Sequence, residues 1–163
     1  MSDSDWGVKH STTGWIFQFS SAAISWSSKK QATVALSSCE AEIMALSEAA
    51  KEAAHLTRMY EEIGLRKEAD GPIDLACDNT GARDLAYNPE HHAKVKHIER
   101  RHFFVREMVE NLQIRVPFVS TVDNIADFFT KPLPAKSFYP MRDAIMNVPL
   151  HARERPECSL RGG

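Results

Sequence analysis

Alternation of apolar and polar positions predicts a β-hairpin near the start of the chain. Trp15, Phe17 and Phe19 occupy every second position, and after two serines the pattern resumes with Ile24 and Trp26. Successive side chains of a strand point to opposite faces of a sheet. We therefore expect an antiparallel hairpin that buries one face against the rest of the protein.

The next segment has the period of a long amphipathic helix. Ser37 and Glu40 fit a capping box at its start, and Gly64 fits its end. The apolar positions between them repeat every three or four residues: Leu46, Ala49, Ala53, Leu56, Tyr60 and Ile63. Extended by four residues towards the N-terminus, this stripe reaches Glu42, and a carboxylate on a buried face is costly unless something compensates it.

The second half of the chain alternates short strands with helices. A buried strand over 73–77 stops at Asp78, which is followed by a short helix. A helix over 95–111, an edge strand over 114–118 and a helix that Thr121 caps and that carries Asp127 complete the pattern. This order predicts an α/β fold with a mixed sheet flanked by helices, in which Asp78 lies at the carboxyl edge where such folds bind ligands.

Length and composition limit the number of domains and the kinds of partner that we expect. The chain has 163 residues and a net charge of −2. We expect a domain over 1–135 and a C-terminal extension over 136–163, a short helix and then a polar tail. A polyanion would have to meet a local basic patch, because the chain as a whole is not basic. No run of ~18 apolar residues predicts a membrane span, and three scattered cysteines suit a reducing compartment.

Four acids stand at positions that suggest chemistry. They are Asp3, before the hairpin, Glu42, Asp78 and Asp127. Taken singly, Asp3 could be a solvated terminus, Asp78 a helix cap and Asp127 an acid favoured by a helix dipole. Taken together, they offer the hard oxygen ligands of two Mg²⁺ ions about 4 Å apart, an arrangement that hydrolyses phosphodiesters. Such a cluster would be metal-dependent, because the carboxylates repel one another without the ions.

Several motifs, in order, resemble the ribonuclease H domain of copia-type LTR retrotransposons, which closes their Pol polyprotein after the reverse transcriptase. The resemblance spans about residues 2–142. The motifs are SDSDWG (2–7), STTGW (11–15), AISWSSKKQ (23–31), VALSSCEAE (34–42), CDN (77–79), KHI (96–98), VRE (105–107) and NIADFFTKPLP (124–134).

The resemblance implies a ribonuclease H-like fold with a five-stranded mixed sheet and catalytic acids at one edge. By motif position the acids are Asp3, Glu42, Asp78 and Asp127, which would bind two Mg²⁺ ions, with Mn²⁺ as a substitute. The implied activity is hydrolysis of the RNA strand of RNA–DNA hybrids during reverse transcription. We expect the parent polyprotein's reverse transcriptase domain as a partner, and a location in the cytoplasm, in virus-like particles or in the nucleus.

The chain also departs from the family pattern. Asp3 has only two residues before it, so we expect the first strand, at the centre of the family's sheet, to be truncated. This favours an alternative function, a truncated or domesticated remnant that binds nucleic acid or a protein without catalysis. A third possibility, an integrase-like or exonuclease domain on the same fold, fits residues 124–134 less well.

Basic residues after the hairpin and in or near the second long helix are candidate substrate contacts. A hybrid is recognised by its shape, its backbone and its 2′-hydroxyls, so phosphate contacts are expected from cations. The candidates are Lys29, Lys30, Lys96 and Arg101, with Asn79 beside Asp78. For the residues of the second long helix the alternative is a solvated face whose bases pair with neighbouring glutamates.

Overall fold

The computed structural model describes residues 10–35, 37–67, 70–88 and 99–149. Within these ranges the chain has an α/β fold, as predicted. Its elements in chain order are β1 (Thr12–Phe19), β2 (Ala22–Lys30), α1 (Ser38–Glu62), β3 (Ile73–Asp74), α2 (Thr80–Tyr87), α3 (Glu99–Glu110), β4 (Ile114–Arg115), a 3-10 helix (Ile125–Phe129) and α4 (Ala135–Ile145). No helix in the described part is long and apolar enough to cross a membrane.

The predicted hairpin is present, but its faces differ from the expectation. β1 and β2 pair antiparallel through a turn in which Ser20 and Ser21 both have positive φ, as in the turns that match strand twist. Phe17 is buried in the core, whereas its neighbour Ile16 pairs with Trp26 on the opposite face. Trp26 is 60% exposed there, so its predicted burial is wrong.

Helix α1 forms the centre of the core, as its stripe predicts. The Ser37 hydroxyl accepts a hydrogen bond from the Glu40 amide at 3.1 Å, which confirms the N-terminal cap. The chain leaves the helix at Gly64, whose φ of +73° suits a residue without a Cβ. The stripe residues Leu46, Ala49, Ala53 and Leu56 are buried. Ile63 is 59% exposed instead, because it lies beyond the last helical residue.

A parallel strand pair carries the chain to Asp78. β3 and β4 pair in register, and the hydrogen bonds continue beyond them, from the Cys77 amide to the Pro117 carbonyl at 3.0 Å and from the Val119 amide to the Cys77 carbonyl at 3.1 Å. Asp78 therefore follows directly on the paired segment. Helices α2 and α3 lie between the two strands in sequence, which makes this the crossover connection that a parallel pair needs.

The sheet arrangement is less extensive than the resemblance implies. In the described ranges the strands form two separate two-stranded sheets, β1–β2 and β3–β4, and no five-stranded sheet is present there. The first strand of the implied sheet would fall around Asp3, outside the described residues. The proposed boundary at residue 135 remains a prediction, although α4 occupies the predicted position of the short helix.

The segment that carries Asp127 differs from its prediction. It is a 3-10 helix rather than an α-helix, and Asn124, not Thr121, caps it by accepting a hydrogen bond from the Ala126 amide at 3.2 Å. It packs on the hairpin at Gly14, where an added Cβ would lie 2.6 Å from Thr130 Cγ2, 3.0 Å from Phe129 Cβ and 3.1 Å from the Ala126 carbonyl oxygen. Gly14 thus permits the close approach of the Asp127 segment.

We predict that Gly14→Ala destabilises the protein by about 1–3 kcal/mol because overpacking forces the 3-10 helix away from β1. The free energy of unfolding in urea would measure this loss. Thr130→Ser removes the nearest atom, Cγ2, and keeps the hydroxyl that bonds to the Asp127 carbonyl. The double variant should therefore recover part of the loss, and purely additive effects would contradict the proposed contact.

Candidate active site

Glu42 lies at the inner side of the first turns of α1. Its neighbour Ile43 is fully buried, and Glu42 itself is half-buried, in agreement with its place at the end of the apolar stripe. The hairpin reaches this turn as well, since the Gln31 side-chain amide donates to the Ala41 carbonyl at 3.1 Å and to the Thr13 hydroxyl at 3.0 Å. The hairpin is therefore fixed to the helical turn that carries Glu42.

Asp78 is free of the capping role that is its simplest alternative. The residue that caps α2 is Asn79, whose Oδ1 accepts a hydrogen bond from the Ala82 amide at 2.9 Å. Asn79 was expected to be either a capping or supporting residue or a substrate contact; the capping role is confirmed, and the substrate contact stays a prediction. The Asp78 side chain instead belongs to a cluster with Glu42 and Cys77, whose ligand atoms all lie within 4.8 Å of one another.

Asp127 is buried and paired with a lysine. Its Oδ2 lies 2.6 Å from Lys131 Nζ, and the exposed fractions of the two side chains are 12% and 50%. The turn after the 3-10 helix sets this pair, because the Asp127 carbonyl accepts hydrogen bonds from the amides of Thr130 and Lys131. The turn therefore brings the Lys131 ammonium next to the Asp127 carboxylate.

The electrostatics join Glu42, Asp78 and Asp127 into one site. Burial, followed by the negative charges of Asp78 and then Asp127, raises the pKa of Glu42 from 4.5 to about 6, and the Lys131 charge acts in the opposite direction. Like charges disfavour ionisation of a carboxyl. The site therefore carries more negative charge than its own residues neutralise, which is the condition that a bound cation relieves.

The donor set of this cluster fits a hard divalent cation. Glu42 and Asp78 present carboxylate oxygens, the ligands that Mg²⁺ and Mn²⁺ accept. Cys77 is the third member, but burial raises the pKa of its thiol to about 11, so it stays protonated at neutral pH. A protonated thiol is a poor ligand, and the carboxylates are left as the metal-binding groups.

All three acids line one surface cleft of about 500 Å³. Its walls are the outer edge of β1, the segment 74–78 and the inner face of α1, and it also includes Lys131. The described residues that line it include five acids and a single cation, Lys131: the acids are Glu42, Asp74, Asp78, Asp123 and Asp127. Asp74 is neutralised elsewhere, because the Arg115 guanidinium binds it through two hydrogen bonds of 2.7 and 2.8 Å.

The structure gathers three of the four predicted acids, while the predicted cations are dispersed. Lys29 and Lys30 are exposed at the end of β2, next to Gln31, whose side chain contacts the first turn of α1, and neither lysine lines the cleft. Arg101 is half-buried on α3 and does not line the cleft. Asp3 and Lys96 lie outside the described residues.

Sequence reasoning missed Lys131 as a member of the site. Its spacing of four residues from Asp127 was a usable signal, because an acid and a base at that spacing pair on one face of a helical turn. Gln31 was also missed, and here the sequence offers no signal. Its role depends on contacts with residues 10 and 18 positions away.

We predict that Glu42→Gln stabilises the metal-free protein at pH 7.5 by on the order of 1–2 kcal/mol, since one pKa unit corresponds to 1.36 kcal/mol. The sign follows from the raised pKa. The folded state holds the Glu42 proton more tightly than the unfolded state. Ionisation of Glu42 therefore lowers the free energy of unfolding, and this loss is absent below about pH 4.5 and complete above about pH 6. Urea unfolding in chelator at several pH values measures the difference. Glu62→Gln, an exposed site at the far end of α1, should show no such pH dependence.

Comparison with known proteins gives the context of this site. The chain is 42% identical over 130 residues to the retrovirus-related Pol polyprotein from transposon TNT 1-94 of Nicotiana tabacum, which covers 80% of this chain and 10% of that protein. It is 40% identical over 141 residues to the Pol polyprotein from transposon RE1 of Arabidopsis thaliana, covering 84% of this chain and 10% of that protein.

A shorter stretch of the chain is similar to a protein that is described as a secreted effector, not as a polyprotein. The chain is 53% identical over 60 residues to the secreted RxLR effector protein 161 of Plasmopara viticola, which covers 34% of this chain and 42% of that protein.

The matches to the two polyproteins cover most of this chain and a small part of each relative, and they identify the family. No family model and no solved structure matches the chain. The chain spans about a tenth of the length of the Pol polyproteins that it matches. Because the similarity extends over most of this chain at 40% identity or more, the chain belongs to the retrovirus-related Pol polyproteins of copia-type transposons.

Proposed function

We propose that this chain is the ribonuclease H domain of a retrotransposon Pol polyprotein, a metal-dependent endonuclease that cleaves the RNA strand of RNA–DNA hybrids. The observation that carries the proposal is the convergence of Glu42 and Asp78, with the charge of Asp127, in one surface cleft. Three acids from a helix, a strand end and a 3-10 helix meet there although they are far apart in sequence. Their positions match those that the motif resemblance assigns to catalytic acids.

The residues of the cleft would hold Mg²⁺, with Mn²⁺ as a substitute, through Glu42, Asp78 and Asp127. In phosphodiester hydrolysis, bound cations would activate a water as the nucleophile and stabilise the leaving oxygen. The chain's own contribution is positioning. Asp78 is placed by the strand pairing that ends at Cys77, and Asp127 by the hydrogen bonds of its turn.

We also propose that the two small sheets belong to one larger sheet. The cleft lies between the outer edge of β1 and the segment 74–78, so each wall includes a strand edge. A strand placed there would join the two sheets into one five-stranded mixed sheet of the ribonuclease H type. In this proposal that strand carries Asp3, which would bring the fourth acid to the other three.

The substrate proposal follows from the charge distribution. Lys29 and Lys30 are exposed beside the strand end that contacts the first turn of α1. A hybrid whose scissile phosphate reaches the acidic cleft would meet these two cations with a neighbouring phosphate. The reverse transcriptase domain of the same polyprotein, in the cytoplasm, in virus-like particles or in the nucleus, would supply the hybrid.

A second candidate is a remnant that binds nucleic acid or a protein without cleaving it. The match to a secreted effector protein favours it, because a protein described as an effector rather than as a polyprotein contains a segment 53% identical to part of this chain. The two candidates differ in turnover, so one assay separates them.

We predict Mg²⁺-dependent cleavage of a labelled RNA–DNA hybrid, with products that carry a 3′-hydroxyl and a 5′-phosphate. Asp78→Asn should lower the rate by at least roughly 100-fold, because an amide oxygen replaces a charged ligand. Asp84→Asn, an exposed acid on α2, is the matched control and should retain the wild-type rate.

The outcomes of this assay are distinct. Equal cleavage by wild type and Asp78→Asn would contradict the proposed site. Hybrid binding without turnover, including in a longer chain that carries the upstream polyprotein residues, would favour the remnant.

We predict that replacing Lys29 and Lys30 together by Gln weakens hybrid binding mainly at low salt. Each lost phosphate contact should reduce the slope of log affinity against log salt concentration by about 1. Filter binding or fluorescence anisotropy at several salt concentrations measures the slope. Lys67→Gln, an exposed lysine in the connection after α1, is the control, and an equal change in that variant would show a general charge effect.

A further inference from the structure

The Asp127–Lys131 pair is unequal in how its two partners are solvated. The side chain of Asp127 is 12% exposed, and that of Lys131 is 50% exposed. A carboxylate with so little access to water needs a partner for its charge. The lysine side chain, by contrast, is half-exposed, so solvent can hydrate its ammonium once another cation takes its place at Asp127.

The backbone holds the lysine next to this acid whether or not the ammonium stays bound. The Lys131 amide donates to the Asp127 carbonyl at 3.3 Å, as does the Thr130 amide at 3.2 Å. Pro132 follows and restricts the conformation of Lys131 further. The ammonium is therefore tethered within reach of the cleft and can leave Asp127 by side-chain rotation alone.

Lys131 also lies in the same cleft as the other acids, because Glu42 and Asp78 line that cleft together with it. It is the only cation among the described residues that line the cleft. One ammonium therefore offsets the charge of a site whose carboxylates are suited to a divalent ion.

We propose that Lys131 is a tethered counter-ion that a divalent metal must displace from Asp127. The inference rests on the proposed function, because it assumes that the acids of the cleft bind the metal. In the metal-free protein Lys131 neutralises Asp127. A cation held by Asp127 would repel the ammonium, which could then turn into solvent, because the Lys131 side chain is half-exposed. Lys131 is thus a positioning residue for Asp127 and makes metal binding weaker than the acids alone would allow.

The first test measures the affinity for Mn²⁺ alone in the full chain, by calorimetry or by the electron paramagnetic resonance of free Mn²⁺. Lys131→Met should bind Mn²⁺ roughly three- to tenfold more tightly than wild type, because no ammonium has to be displaced or repelled. Lys131→Arg, which keeps the charge, should stay near the wild-type affinity. Lys136→Met, an exposed lysine at the start of α4, is the control and should leave the affinity unchanged.

The second test follows the ammonium directly. Competitive acetylation of wild type, read by mass spectrometry, gives the reactivity of Lys131 relative to Lys136 in the same molecule. Saturating Mn²⁺ should increase that ratio, because the ion pair that protects Lys131 is broken. A purely structural role of Lys131 would not change the ratio.

The outcomes separate this inference from the proposed function. If wild type lacks an Mn²⁺ site that Asp78→Asn removes, the proposed metal site itself is wrong, and the Lys131 inference fails with it. If that site exists but Lys131→Met binds Mn²⁺ no more tightly, or the acetylation ratio does not change, only the Lys131 inference is overturned. A tighter site together with a raised ratio supports it. Circular dichroism of each variant checks that the fold is intact.

Discussion

The repulsion among three carboxylates is the constraint around which this molecule is organised. Glu42, Asp78 and Asp127 come from different elements and line one cleft, where burial and the charges of the two aspartates raise the pKa of Glu42. Such a concentration of like charge opposes folding, so the neutral parts of the structure must hold it together. The core under α1 and the parallel strand pair supply that support, and Lys131 compensates part of the charge.

The rigidity of the surroundings explains how this arrangement is maintained. Asp78 follows the last paired residue of a parallel strand pair, and Asn79 fixes the start of α2 immediately after it. Asp127 lies in a tight 3-10 turn packed against Gly14, where a larger residue would not fit. Each acid is thus attached to backbone with little freedom, which suits a site whose ligands must be positioned before a cation arrives.

Membership in the Pol polyproteins and the chemistry of the cleft support the same function from independent directions. The family assignment rests on identity along most of the chain. The cleft rests on burial, charge and donor type, none of which requires knowledge of a relative. The proposed hybrid hydrolysis uses both, and the proposed role of Lys131 adds the geometry of one ion pair to it.

The sequence by itself determined the elements whose signals are local. The period of α1, its Ser37 cap and its end at Gly64 were all predictable, because helix periodicity, capping and left-handed conformation depend on neighbouring residues. The place of Glu42 on the buried stripe followed from the same period. The sequence also allowed Asn79 as a cap of α2, with Asp78 as the alternative, and the structure has Asn79 in that place. Only the tertiary structure decided that Trp26 faces outward and that Asp127, with Lys131, lies in the same cleft as Glu42 and Asp78. These two outcomes depend on contacts between segments distant in sequence, which a one-dimensional pattern does not carry.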